Sequence, residues 1–278
     1  MKTIRVVLTI LMGGLLLAGC GMDQYAIERR HWHMMRQAEK VFRNPHASPP
    51  QELSRVVGLL KDFAGDFPNN ALSVEAEFTI AKLYLVKKEY THAREYLKEL
   101  LGKYAKVDPV ASEIHFLMGN SFELEGDWDQ ALQQYKTIIE RYPLTMRGLS
   151  APIYISQYYK VKYQPDRMVA ALQEAITHYK ALSLRYPNSP LSYRTDILVA
   201  ECLIALKDWK GAVAHLDSVL TKYKGKVPLD SVMINMILMY KDELKDIAKA
   251  KALCERLIQE YPKSKAVPLA QGILKGTE

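Results

Sequence analysis

Side chains that could perform catalysis or bind a metal ion are sparse in this chain of 278 residues. His31 and His33 are the closest pair of histidines, but two residues of separation would point them to different sides of a helix. The sequence contains no glycine-rich phosphate loop and no HExxH or GxSxG motif. Paired cysteines with zinc spacing are also missing. We therefore predict no catalytic residue, no cofactor and no metal ion, and we expect that the protein is not an enzyme.

Cys20 is the one residue for which the sequence predicts covalent chemistry. The basic residues Lys2 and Arg5 flank the start of an apolar run over residues 6–18. This run is shorter than the roughly 20 apolar residues that a membrane-spanning helix needs. It suits the apolar core of a signal peptide. The run ends in Leu-Ala-Gly-Cys at residues 17–20, which resembles the bacterial lipobox.

The lipobox resemblance implies that residues 1–19 are removed and that residues 20–23 form a lipidated N-terminus. Two or more acyl chains on Cys20 would anchor the protein to a membrane without spanning it. The alternative is an ordinary signal peptide followed by a chance cysteine. Gly21 follows Cys20, instead of an aspartate that would favour inner-membrane retention, so we expect the periplasmic face of an outer membrane.

The charges and the remaining cysteines give no sign of a nucleic-acid site. The 38 basic and 31 acidic residues are interspersed, without a basic block, so nucleic-acid binding is not predicted. Cys254 falls on a position expected to be buried, which favours a packing role. A disulfide between Cys202 and Cys254 remains an alternative in an oxidising compartment.

A repeated ladder of residues organises the rest of the chain. A small side chain follows three residues after five of its six starting positions, and an aromatic residue follows fourteen residues after all six. The spacing of 37, 38, 44, 37 and 38 residues between starts predicts a tandem array of helical units. The starting positions are Leu53, Tyr90, Trp128, Leu172, Trp209 and Ile247.

Each ladder reads as the second helix of a helix-turn-helix pair, because its apolar positions share one stripe of a helix. The third pair shows the pattern most fully. Gly119 and Phe122 precede a turn with Gly126, and Ala131 and Tyr135 follow it. This pattern resembles the tetratricopeptide repeat. The resemblance implies an all-α fold, a right-handed solenoid of about six helix pairs.

The array is predicted to form one domain over residues 24–262, with residues 263–278 as a capping helix or a loose tail. Two units depart from the pattern. The fourth has about seven extra residues between Tyr159 and Ala175, and the sixth has one extra residue near the turn at 242–246. The predicted units cover residues 24–68, 71–106, 109–143, 149–187, 190–224 and 228–262.

The first helices of the units carry the candidate partner-binding groove. In the repeat class that this chain resembles, four positions of each first helix line the concave face. There they combine an apolar side chain with charged neighbours, which suits an extended peptide. The alternative is that Phe78, Phe116 and Ile197 pack against neighbouring helices. The groove candidates are Glu75, Phe78, Lys82 and Leu85; Glu113, Phe116, Asn120 and Glu123; and Arg194, Ile197, Glu201 and Ile204.

The irregular fourth unit offers a second candidate site. Its extra residues include Pro165, Asp166 and Arg167, which we expect to lie in a loop. A loop that interrupts a regular array is a natural docking point, since binding residues concentrate on loops. The alternative is a tolerated surface insertion.

The fourth unit also carries a more specific resemblance. The run Tyr158-Tyr-Lys-Val-Lys-Tyr-Gln-Pro-Asp-Arg167, followed by Arg185-Tyr-Pro-Asn-Ser189, resembles the third repeat of the BamD (ComL/YfiO-type) outer-membrane lipoproteins. The resemblance covers most of residues 53–205 and weakens beyond them. It implies a periplasmic scaffold that contacts the β-barrel assembly machinery and its substrates.

The leading hypothesis is a membrane-tethered, non-enzymatic scaffold for proteins or peptides in outer-membrane protein assembly. A second hypothesis is a periplasmic adaptor for cell-envelope or peptidoglycan enzymes. The third is an enzyme with an unrecognised site in the groove, against which the absence of a nucleophile or acid-base constellation argues.

Overall fold

The computed structural model describes residues 24–68 and 70–276, so the predicted signal peptide and Cys20 lie outside the described residues. All regular secondary structure in the described ranges is helical, which confirms the predicted all-α class. Contacts divide the chain into two compact units, one ending at Arg147 and the next beginning at Gly148.

The first unit consists of consecutive antiparallel helices that pack on their neighbours. Residues of α1, α2 and α3 share one buried apolar cluster, and residues of α3, α4 and α5 share another. The pairs therefore stack through a continuous core within this unit, as expected for a repeat array. The helices are α1 (24–43), α2 (Pro50–Asp66), α3 (Ala71–Val86), α4 (Tyr90–Tyr104), α5 (Asp108–Glu125) and α6 (Trp128–Arg141).

The second unit continues the pattern and ends in a short helix. Ala270 and Ile273 of that last helix are buried in the same apolar cluster as Leu257, so it covers the preceding pair. Of the two alternatives for the C-terminal residues, the structure forms the helix. Its first helix, α7 (Met146–Val161), has its first two residues in the first unit. The others are α8 (Pro165–Arg185), α9 (Pro190–Ala205), α10 (Trp209–Tyr223), α11 (Asp230–Leu238), α12 (Ile247–Glu260) and α13 (Val267–Lys275).

The turn inside five of the pairs has one shared geometry. In each, a residue with a left-handed backbone stands two positions before the first residue of the second helix. Only one of the five is glycine, the residue that adopts this conformation without steric penalty. The residues and their φ angles are Lys88 (63°), Gly126 (97°), Tyr163 (55°), Lys207 (58°) and Lys245 (55°).

The same turn geometry corrects the predicted register of the fourth unit. Because Tyr163 is the left-handed residue, the ladder of α8 starts at Pro165 and not at Leu172. Tyr179 then occupies the aromatic position, fourteen residues after Pro165. Its hydroxyl donates a hydrogen bond to the Leu149 carbonyl oxygen, near the start of α7, at 2.6 Å. α8 contains 21 residues, against 15 in α4 and in α10, so the added residues extend its C-terminal end.

The expected loop at Pro165, Asp166 and Arg167 is therefore wrong. These three residues form the exposed first turn of α8, after a turn of three residues. Proline is favoured at this first helical position, because its missing N–H would have no partner there and its φ suits a helix. Aspartate is also favourable in the first turn, since it faces the positive end of the helix dipole.

The sixth pair accommodates its extra residue by a π-helical segment, Met239–Glu243, that follows α11 directly. A π-type turn adds one residue to a helix without ending it. The Leu244 amide accordingly donates to the Met239 carbonyl oxygen, five residues back, at 3.0 Å.

Candidate functional site

The predicted groove positions on α5 are held by contacts within the first unit. Arg147 forms two hydrogen bonds with the Glu113 carboxylate, one of them at 2.9 Å. Its guanidinium also lies 3.6 Å from the centroid of the Phe116 ring. Phe116 is only 8% exposed, so the structure follows the packing alternative for this residue. A partner that approaches here meets the polar Arg147–Glu113 pair.

The other two positions on α5 surround Tyr135 of α6. The Tyr135 hydroxyl lies 2.9 Å from both Asn120 Oδ1 and Glu123 Oε2. Its ring is fully buried and stands 5.6 Å from the Phe116 ring. These contacts position Asn120 and Glu123, which are both half-buried, for further polar interactions.

On α3 the predicted positions divide between surface and core. Glu75 is exposed, and its carboxylate lies 3.5 Å from His31 Nε2. Lys82 is exposed as well. Phe78 packs on the cluster shared by α3, α4 and α5, while Leu85 is buried within it. α3 therefore offers charged groups, and its apolar groups are engaged internally.

On α9, in the second unit, Arg194 and Glu201 form an exposed ion pair at 3.8 Å. Ile197 and Ile204 are partly buried against the core of that unit. An exposed pair at this distance contributes little to stability. Its two charges are therefore accessible to a partner at small energetic cost.

A cavity of about 370 Å³ lies in the second unit between α7, α8 and α9. It is found where α9 ends beside the first turns of α8. The lining residues are Ile153, Ser156, Gln157, Lys160, Met168, Leu172, Glu201, Cys202, Ala205 and Lys207.

The cavity combines an apolar floor with a charged rim on which two lysines stand against one acid, the exposed Glu201. Leu172 and Cys202 are buried at its base, whereas Lys160 and Lys207 are exposed. Neither lysine forms an ion pair within the described ranges. Burial raises the pKa of the Cys202 thiol to about 12, and the nearby Glu201 adds to this. The thiol is thus neutral at physiological pH, and the site suits an apolar side chain next to a carboxylate.

A polar network centred on the buried Asp196 links α9 to α10. Lys222 Nζ and the Tyr223 hydroxyl each lie 2.8 Å from Asp196 Oδ2. Burial alone would raise the pKa of the Asp196 carboxyl, but hydrogen bonds from Lys222, Ser183 and Tyr223 outweigh it and hold the pKa below its usual value. α9 is therefore anchored by a charged pair, and its groove positions are firmly placed.

The same arrangement recurs in the first unit. There Lys103 Nζ and the Tyr104 hydroxyl donate to the Glu77 carboxylate at 2.7 and 2.6 Å. Both acids are the seventh residue of a first helix, and both tyrosines are the aromatic at the fourteenth step of the ladder. The network is a repeated structural device and not a site for a ligand.

Several sites considered from the sequence do not assemble. Within residues 24–68 and 70–276, no cluster of three or more histidine, cysteine or acidic side chains is arranged to hold a metal ion. Cys202 and Cys254 are buried and unpaired with each other. In the same ranges, no helix has both the length and the apolarity required to cross a bilayer.

Sequence reasoning missed Arg147 and the cavity. Arg147 lies in the first turn of α7, outside the four groove positions considered, although a basic residue there is a weak signal for an acidic neighbour. The cavity is lined by residues of α7, α8 and α9, and no pattern within a single helix indicates how three helices pack together.

Comparison with known proteins supports the repeat assignment. The family model described as "Tetratricopeptide repeat" matches residues 113–145, 198–225 and 232–264. These segments fall on helix pairs seen in the structure. The fold is therefore an all-α array that contains tetratricopeptide repeats.

More extended relatives are distant. The chain is similar to anaphase-promoting complex subunit 6 of Arabidopsis thaliana, with 27% identity over 161 residues, which is 56% of this chain and 26% of that protein. A tetratricopeptide repeat protein from Parabacteroides merdae has 11% identity and a TM-score of 0.40, over 90% of this chain and 87% of that one. The apo form of RapI has 14% identity and a TM-score of 0.45, over 89% and 69%. Likenesses this distant carry no functional argument.

Proposed function

We propose that the protein is a periplasmic scaffold, held at a membrane by acylated Cys20, that binds segments of other proteins. The observation that carries the binding role is the cavity between α7, α8 and α9, with its apolar floor and two exposed lysines on the rim. Helix pairs of this kind provide extended surfaces for partners, and no reactive constellation competes with that role among the described residues.

The site favours a partner segment with an apolar side chain beside a carboxylate. Leu172 and Met168 supply apolar contacts, and Lys160 and Lys207 supply the charge. Apolar pockets contribute affinity, whereas charged groups at the rim contribute orientation and specificity. The exposed Arg194–Glu201 pair on α9 extends this polar border.

We further propose that the partners belong to the outer-membrane β-barrel assembly machinery. This part rests on the lipobox and on the resemblance of the fourth repeat to the BamD-type lipoproteins. The test is a pull-down from detergent-solubilised membranes with the full chain as bait. We expect β-barrel assembly components to co-purify. Enrichment of peptidoglycan synthases or hydrolases alone would instead favour the envelope-enzyme adaptor.

A matched pair of variants separates specific from nonspecific capture. Lys160→Glu with Lys207→Glu reverses the cationic rim, and Lys180→Glu with Lys224→Glu makes the same charge change at exposed positions away from the cavity. We expect only the first pair to release the partner. Equal capture by both double variants would contradict binding at the cavity.

The anchor has an independent test. Metabolic labelling with palmitate, compared between the natural chain and Cys20→Ser, should show label only in the natural chain. Equal labelling of both chains, or of neither, would refute acylation at Cys20 and leave the cavity proposal to its own test.

A further inference from the structure

The outward face of α1 carries a single stripe of basic and aromatic side chains. Its members follow one another at steps of three or four residues, which places them on one face of a helix. The opposite face of α1 is buried, with His31, Met34, Ala38 and Val41 in the core of the first unit. The stripe, called here the α1 stripe, comprises Tyr25, Arg29, Trp32, Arg36, Lys40 and Arg43.

The aromatic residues of the α1 stripe are unusually exposed for their size. Tyr25 is 66% and Trp32 is 53% exposed. The Arg29 guanidinium lies 5.9 Å from the Tyr25 ring, and the Arg36 guanidinium lies 4.9 Å from the Trp32 ring. The His33 ring also packs edge-on against Trp32, at 5.1 Å. Exposed rings beside arginines suit a partner that is both apolar and anionic.

The acidic residues near the stripe do not cancel its charge. Glu39 is engaged by Arg43 at 2.5 Å, and the Glu28 carboxylate accepts a hydrogen bond from Gln24 at 2.9 Å. The stripe holds four basic residues against these two carboxylates, so the face as a whole keeps a net positive charge. Basic residues with tryptophan and tyrosine are the combination found at membrane interfaces.

The chain length before α1 identifies the partner. Four residue steps separate Cys20 from Gln24, the first described residue of α1. Whatever path they take, four steps span at most about 14 Å. If Cys20 is embedded through its acyl chains, the start of α1 must therefore lie close to the headgroups. An anionic bilayer surface is then the nearest partner for the stripe.

We propose that the α1 stripe lies on the anionic headgroup surface of the membrane and fixes the orientation of the first unit there. The orientation rests on the acyl anchor proposed above, but the affinity of the stripe for lipid does not. Arg29 and Arg36 contact lipid phosphates, while the rings of Tyr25 and Trp32 enter the interface. Two weak signals, an acyl anchor and a basic aromatic face, together hold a protein more firmly than either alone.

Vesicle binding of the unacylated chain tests the stripe separately from the anchor. The chain from residue 20 onwards, with Cys20→Ser, is sedimented with vesicles rich in phosphatidylglycerol and with vesicles of phosphatidylcholine alone. We expect binding to the first only, weakened by salt. Each basic residue near an anionic surface changes the partition about fivefold, so Arg29→Gln with Arg36→Gln should weaken binding about 30-fold.

Lys98→Gln with Lys136→Gln removes the same charge from exposed positions on other helices of the first unit and is the matched control. It should reduce binding far less. Trp32→Ala should also weaken binding. Brominated lipid should quench the tryptophan fluorescence of the natural chain, and this quenching should be lost in Trp32→Ala. The proposal is overturned if anionic vesicles do not bind the chain, or if both double variants weaken binding equally. If the natural chain takes up no palmitate label but the unacylated chain still binds anionic vesicles, the acyl anchor alone is refuted.

Discussion

Gly119 is the position where the packing of a helix pair can be tested most sharply. A Cβ atom added at this residue would lie 2.4 Å from Cε1 of Tyr135 and 2.8 Å from its Cζ. The ring cannot move away easily. Tyr135 is fully buried, its hydroxyl is bonded to Asn120 and Glu123, and the Trp128 ring stands 5.9 Å away.

Gly119→Ala therefore sets two opposing effects against each other. Alanine gains about 1 kcal/mol over glycine inside a helix. Overpacking of a tight core costs about 1 to 3 kcal/mol, and a displaced hydroxyl loses hydrogen bonds of about 1 kcal/mol or more. We expect a net loss of about 2 kcal/mol in the free energy of unfolding, measured by urea denaturation with circular dichroism.

Gly58→Ala is the matched control, because Gly58 lies in the middle of α2 with no heavy atom within 4 Å of an added Cβ. It should raise stability by up to about 1 kcal/mol. Adding Tyr135→Leu should remove the penalty of Gly119→Ala, because the ring that collides is gone. If Gly119→Ala proves as stabilising as Gly58→Ala, the close approach of α5 and α6 is wrong.

Three further predictions follow from single contacts. Asp196→Asn should destabilise the chain by about 2 kcal/mol at neutral pH by weakening the bond to Lys222. The folded-state pKa of Asp196 is lowered, so the stability difference should be present above the unfolded pKa near 4 and fade as pH falls below it. Urea titrations at several pH values measure this. A difference that persists at pH 2 would contradict the ion pair between Asp196 and Lys222. Cys202 should react with a maleimide only after unfolding, since its thiol is buried and its pKa is raised; rapid labelling of the native chain would contradict this. Arg147→Ala should expose the Phe116 ring and remove the partner of Glu113, which should lower the free energy of unfolding by about 1 to 2 kcal/mol in thermal denaturation. An unchanged stability would show that the stacking of Arg147 on Phe116 is unimportant.

The sequence was sufficient to predict the helix pairs because each pair repeats the same local signals. Small residues such as Ala93 and Ala131 mark the close approach of two helices, and both are fully buried. The aromatic residues at the fourteenth step also recur because Tyr104 and Tyr223 meet an acidic residue of the first helix. Local patterns with a fixed period survive without knowledge of the tertiary structure.

The register of α8 could not be obtained from the same signals. Leu172, Ala175 and Tyr179 fit the ladder in two frames, one of which makes Tyr186 the terminal aromatic. The deciding feature is the left-handed turn at Tyr163, which is not a glycine and therefore leaves no mark in the sequence. The cavity is lined by three helices, so the local pattern of one helix does not predict it either.

The groove positions show a similar limit. A pattern identifies which residues of α5 face one direction, but not what covers them. Phe116 is covered by Arg147, which comes from 31 residues further along the chain. Long-range pairs of this kind follow from how helices stack, and the offsets within one helix do not contain them.

Photocrosslinking from the cavity in living cells tests the scaffold proposal most directly. A photoreactive side chain replaces Gln157, which is exposed and lines the cavity, or Thr177, which is exposed on α8 and does not line it. We predict an adduct between position 157 and a β-barrel assembly protein, and none from position 177. No adduct from position 157, or the same adducts from both positions, would contradict partner binding at the cavity.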